Sequence, residues 1–203
     1  MNIAILGATG TFGMALVNSL MRNTTDHLTL LSRHAEDYYQ NSERITAINI
    51  DATNAEDLRT ALHGTNVVYC AVSGEQLPIV AENLVNVMSS LNISRLLFMS
   101  AVGIYNEIPA DLDGDDNLDN EPAQVPNRKA ADIIESSNLN YTILRPGYLR
   151  DGSEDDYVLT VKGEQAKGYI STIPSVVAIA EKLITDEMLY SCESVSITKN
   201  MEN

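Results

Sequence analysis

The chain is short of cysteine, short of cations and free of long apolar runs. Cysteine occurs twice, as Cys70 and Cys192, far apart in the sequence. That spacing fits neither a metal knuckle nor a redox pair, so both are expected to be buried thiols in a reducing compartment. No run of about 18 apolar residues is present, which excludes a membrane-spanning helix. The amino terminus lacks the basic region of a secretory signal and a strand pattern starts at Asn2, so the expected location is cytoplasmic. Thirteen Lys and Arg stand against 28 Asp and Glu, a formal net charge of −15. A duplex-binding protein needs a basic face, and nucleic acid is therefore not an expected partner. The same field repels anionic cofactors, so a nucleotide would have to be held by local dipoles and a few placed cations. His27, His34 and His63 are scattered at element ends, which argues against a metal site or a catalytic triad.

What the chain does have is alternation. Strand-like segments at 2–6, 27–31, 45–50, 66–71, 95–100 and 141–145, with a weaker one at 194–198, are separated by helical patterns at 11–22, 54–62, 77–92, 126–137 and 174–186. Ala55, Leu58, Ala61 and Leu62 mark one helical face; Val80, Leu84, Val87, Met88 and Leu91 mark another. Asn54, and Ser175 or Thr172, are candidate helix caps, and Pro174 suits a first turn. Met14, Met21, Met88 and Met99 read as core filling. At 203 residues and 44 % hydrophobic content, the chain suits a single domain, 1–203. The order of elements predicts an α/β fold, a doubly wound parallel sheet with right-handed crossovers and helices on both faces.

Two acidic stretches interrupt the pattern, six acids in the eleven residues Asp111–Glu121 and four more from Asp151 to Asp156. The first does not satisfy a calcium loop. Asp116 takes the sixth position, where the turn needs glycine, and Pro122 the twelfth, where the bidentate glutamate belongs. Solvated surface is expected there.

The first thirteen residues carry the chemistry. An apolar, β-branched run, Asn2-Ile3-Ala4-Ile5-Leu6, leads into Gly7, Gly10 and Gly13, and an amphipathic segment follows. Strand, tight turn and helix in that order make a dinucleotide cradle, the start of a single Rossmann-type domain. Gly7 permits the sharp turn, Gly10 leaves room for a diphosphate against bare backbone, and Gly13 lets the helix pack closely on the sheet. The helix start offers unpaired N–H groups and a positive dipole end to the phosphates. After the second strand come Ser32-Arg33-His34, with no acid at the tip to hold a ribose 2′-hydroxyl. Arg33 beside a small hydroxyl residue suits a 2′-phosphate, so NADP(H) is the expected cofactor. Asp51 and Ala52 fall where the adenine would lie, and Ala71, Val72 and Ser73 give the small side chains a flat cofactor needs across the strand ends.

Three segments in this order and spacing, Gly7–Gly13, Phe98–Tyr105 and Tyr141–Gly147, resemble an atypical short-chain dehydrogenase/reductase of the NmrA-like, NAD(P)H-binding type. The resemblance implies a Rossmann domain for NADP(H), with Thr9, Thr11 and Phe12 around the pyrophosphate and Pro146 near the nicotinamide. It also implies either reduction of flavins, quinones and similar acceptors, or a redox sensor that has lost catalysis. The chain departs from the wider superfamily at the Tyr-x-x-x-Lys pair. Arg128, or Lys129, stands at the lysine position, Gln124 or Val125 at the tyrosine's, and an arginine cannot act as an acid or base at neutral pH. Ser100, closing the fifth strand, and Tyr105, five residues on, are the remaining candidates for handling an acceptor oxygen; Arg128 could grip a ribose or phosphate. A minimal substrate lobe is expected around 147–175. The expected partner is a small planar or carbonyl hydride acceptor, and self-association is left open. The alternative is a non-catalytic NADP(H)-binding regulator.

Overall fold

The computed structural model describes residues 1–200 apart from Asp113 and Asp156. The expectation of solvated surface at those two carboxylates lies outside the described residues, as does 201–203.

The first six strands are β1 (Asn2–Leu6), β2 (His27–Ser32), β3 (Ile45–Asn49), β4 (Val67–Cys70), β5 (Arg95–Met99) and β6 (Asn140–Pro146). They pair in the order β3-β2-β1-β4-β5-β6, all parallel. Helices α1 (Thr11–Asn23), α3 (Ala55–Ala61), α4 (Leu77–Leu91), α5 (Gln124–Glu135) and α6 (Ile173–Thr185) lie near their predicted places, and a single turn, α2 (Ala35–Tyr38), follows β2. Beyond β6 come β7 (Tyr148–Leu149), β8 (Val158–Val161), β9 (Ile170–Ser171) and β10 (Glu193–Thr198).

Side chains alternate across the strands and so divide the core between two layers. On β1, Ala4 and Leu6 point to the layer formed with α3, α4 and α5, while Ile3 and Ile5 meet α1 and α6. Buried on both faces, the central strands are apolar runs, as parallel strands must be. Asn54 caps α3 by accepting N–H bonds from Glu56 and Asp57. Thr172, not Ser175, caps α6, accepting from the Ser175 amide at 3.1 Å.

The structure corrects several expectations. The sheet is not wholly parallel, because β10 pairs with β6 in parallel and with β8 antiparallel. Within 147–175, the stretch expected to form a minimal substrate lobe, β8 is the edge strand of this sheet. The rest holds the small parallel pair β7–β9. Met88 and Met99 are buried and Met21 half-buried, but Met14 faces outward from α1. Among the described residues, no helix is long and apolar enough to cross a membrane.

Cys70 is buried, whereas Cys192 is exposed on the turn before β10. The Cys70 thiol is pushed up to about 12 by burial. Since the thiolate is the reactive form, a thiol reagent at neutral pH should titrate one cysteine in the native protein and two in denaturant.

Candidate functional site

The sheet order reverses between β1 and β4: from β1 the chain proceeds outward through β2 and β3, then returns to β4 and runs the other way. The connections after the two strands diverge, and a crevice opens at their carboxyl ends. It is a cavity of about 330 Å³. Gly7, Thr9 and Gly10 line it after β1, Ser32 at the end of β2 with Arg33 and His34 beyond it, Asp51, Ala52 and Thr53 after β3, and Ala71, Val72 and Ser73 after β4. Gln76, the N-cap of α4, and Leu77 form a wall that the sequence did not single out, beside Val80, which was read there only as part of a helix face. Their signal was available, since the first turn of a helix following a central strand faces the same crevice.

The turn after β1 is built by exclusion. Gly7 has φ +78°, and a Cβ on it would lie 2.7 Å from the Ala71 carbonyl oxygen. A Cβ on Gly13 would sit 2.2 Å from the Gly7 carbonyl oxygen, so α1 packs against the turn at backbone distance. Some amides of the turn are already used: Gly7 and Ala8 both donate to the Leu31 carbonyl, and Gly10 donates to Gly7. The amides of Thr9, Thr11, Phe12 and Gly13 have no acceptor among the described residues, and the Gly10 N-cap has no side-chain bond. Four unpaired donors at the positive end of a thirteen-residue helix form an anion cradle.

At the other end of the crevice, Ser32 Oγ accepts the His34 N–H at 3.2 Å and shapes the turn that carries Arg33. Arg33 is exposed and has no ion pair among the described residues. Asp51 accepts from the Thr53 amide at 2.9 Å and from its hydroxyl at 2.8 Å. Those two bonds, and the nearby Arg33 charge to a smaller degree, hold its carboxyl below the usual range.

At the end of β5, Ser100 donates its amide to Leu144, and its buried Oγ has no partner among the described residues. Pro146 is buried in β6 and accepts the Val102 amide. Neither residue lines the crevice described above; both lie at the adjoining strand ends.

Tyr105 and Arg128 lie outside the crevice lining, and each is engaged by other partners. The Tyr105 hydroxyl donates to Glu135 Oε1 at 2.7 Å and lies 3.2 Å from Ser194 Oγ. Glu135 ends α5 and Ser194 lies near the start of β10, paired with Ile143 of β6, so the phenol is held between these two elements, outside the crevice lining. Its ring is flanked by the cations of Arg128, Arg145 and Lys162, 5.1, 5.0 and 4.6 Å from the centroid. Burial holds its pKa well above the ordinary phenol value. Arg128 is occupied by Asp132 at 2.8 Å and by the Ile104 carbonyl. Packing decided both placements: a half-buried tyrosine with cations and a carboxylate in reach is satisfied where it stands.

Comparison with known proteins settles the family. A family profile described as NAD(P)H-binding matches residues 7–187. The chain belongs to the NAD(P)H-binding family. A Rossmann-fold NAD(P)-binding family protein from Shigella flexneri is 31 % identical over 98 % of this chain and 94 % of its own, with TM-score 0.84. A short-chain dehydrogenase/reductase from Veillonella parvula, solved in complex with NADP, is 28 % identical over 98 % of this chain and 95 % of its own, with TM-score 0.88. These similarities support the atypical short-chain dehydrogenase/reductase character. ChuY, described as an anaerobillin reductase from Escherichia coli, shares the fold at TM-score 0.84 and 17 % identity, over 100 % of this chain and 99 % of its own. A search of curated proteins found no match. The residues present fit the family's cofactor: the unpaired amides suit a diphosphate, and a side chain at Gly7 or Gly13 would break the turn that presents them.

Proposed function

We propose that this protein is an NADPH-dependent oxidoreductase of the NmrA-like kind that passes hydride to a small planar acceptor such as a flavin or quinone. The observation that carries this reading is the row of unpaired amides at Thr9, Thr11, Phe12 and Gly13 where α1 begins, with Thr9 and Arg33 lining one crevice. The amides would hold the diphosphate, Arg33 the 2′-phosphate, Ala71–Ser73 the flat run across the strand ends, and Pro146 one side of the nicotinamide. The reduced nicotinamide supplies the hydride when bound. Positioning is then most of what the protein must provide.

The acceptor class follows from what is missing. Tyr105 keeps its proton for Glu135, and Arg128 is paired, so neither delivers a proton to a reacting oxygen. A flavin or quinone takes its proton from water, whereas an aldehyde or ketone needs a placed acid. Ser100, whose buried hydroxyl at the end of β5 has no partner among the described residues, can hold an acceptor oxygen by one hydrogen bond. The sequestered phenol also favours a second reading, a cofactor-binding regulator without turnover.

Loss of NADPH absorbance in the presence of flavins and quinones separates the two. Turnover is expected with these and not with simple aldehydes; tight NADPH binding with no turnover on any acceptor would favour the regulator. The 2′-phosphate role has its own test. Arg33→Asp should lower NADPH affinity about tenfold or more, the worth of one charge-assisted bond, and remove the preference over NADH. An unchanged preference in titration calorimetry would refute that role.

A further inference from the structure

One polar contact ties the turn after β1 to the segment that follows β2. Tyr39, just after the turn α2, donates its hydroxyl to the Ala8 carbonyl at 2.7 Å. Ala8 is the buried residue between Gly7 and Thr9, and its own amide is committed to Leu31. Across a trans peptide the carbonyl and the following N–H point in opposite directions. A phenol that holds the Ala8 carbonyl on the outer side therefore turns the Thr9 N–H the other way. Thr9 and Gly10 line the crevice, and Tyr39 does not.

We infer that Tyr39 is a positioning residue for the diphosphate: it fixes the Ala8–Thr9 peptide plane so that the Thr9 amide faces the cofactor. The inference rests on the cofactor reading above. The ring packs against the core beside α1, and partial burial raises the phenol's pKa, so it remains a donor at neutral pH. Tyr38, one residue earlier, is 63 % exposed and serves as the control.

The test is Tyr39→Phe, which removes the hydroxyl and keeps the ring, compared with Tyr38→Phe by titration calorimetry. The probes are NADPH, NADH and adenosine 2′-monophosphate, the last having no diphosphate. Tyr39→Phe should weaken both dinucleotides by the same factor, about three- to tenfold for one hydrogen bond, and leave adenosine 2′-monophosphate unchanged. Without nucleotide, the Ala8 carbonyl carbon resonance should shift upfield in Tyr39→Phe and stay put in Tyr38→Phe. Unchanged dinucleotide affinity would overturn the assignment. So would an equal loss of adenosine 2′-monophosphate, since the hydroxyl would then be serving the fold or the adenosine end. If the wild-type protein binds neither dinucleotide, the cofactor reading fails instead, and this inference falls with it.

Discussion

Glu107→Ala should be the most damaging single substitution outside the glycine turn, lowering stability by about 3–5 kcal/mol, the cost of removing one partner of a buried ion pair. Glu107 pairs with Arg145, whose side chain is fully buried on β6. Arg145 also donates to the carbonyls of Thr160 and Ser194, which lie on β8 and β10. Glu107 Oε2 accepts the Tyr105 amide at 2.9 Å, and the Glu107 carbonyl accepts the Ala166 amide. One carboxylate thus joins the loop after β5 to the far edge of the sheet. Desolvation draws Arg145 down to about 10, so it stays charged at neutral pH, and truncating Glu107 strands that charge. A domain of this size has only about 5–15 kcal/mol to lose. In urea the midpoint should fall sharply with the slope unchanged. Glu107→Gln, which can still accept a bond from Arg145, should cost clearly less. A midpoint within error of wild type for Glu107→Ala would show that the pair does not hold this edge together.

That pair also marks where sequence reading stops. The parallel half of the molecule was legible because each step has a local cause: apolar runs for doubly buried strands, i, i+3, i+4 stripes for α3 and α4, Asn54 at a cap. The three glycines announced the crevice. The edge beyond β6 was not legible. Tyr157-Val158-Leu159-Thr160-Val161 is rich in β-formers and could have been read as a strand, but nothing local says that it pairs antiparallel with β10. Pairing at that edge is set by long-range partners, Thr160 with Ser196 and Arg145 with Glu107. The same cause hid the partners of Tyr105. Six residues after the end of β5, a loop tyrosine can turn toward the site or away from it, and only the tertiary arrangement of Glu135, Ser194 and three cations decides. Tyr39 was missed for a related reason: its partner is a backbone carbonyl, which leaves no mark in side-chain spacing.

The second large effect is expected at the head of α1, where one added methyl group should separate folding from binding. In Gly13→Ala the new Cβ would stand 2.2 Å from the Gly7 oxygen and 2.8 Å from the Ala8 Cα, both inside the 3.0 Å limit that real Cβ contacts keep. All of these atoms are backbone, so the helix start must move away from the turn. Overpacking of this kind costs about 1–3 kcal/mol, and it also displaces the unpaired amides from a common focus. Each amide bond to a charged phosphate is worth about 1.5–3 kcal/mol, so loss of alignment at one should weaken NADPH and NADH alike by about tenfold, and at two by about a hundredfold or more. Gly10→Ala is the informative contrast. Its Cβ would meet only the Gly7 oxygen, at 3.3 Å, and Gly10 is exposed in the crevice. Gly10→Ala should therefore unfold near the wild-type temperature yet lose dinucleotide affinity, because the methyl occupies the diphosphate's approach. Gly13→Ala should lose both stability and affinity. Calorimetric titration beside thermal melts distinguishes the two patterns. If Gly10→Ala binds NADPH as tightly as the native protein does, the diphosphate does not lie on this turn, and the amides of Thr9 to Gly13 are helix ends with no cofactor to serve.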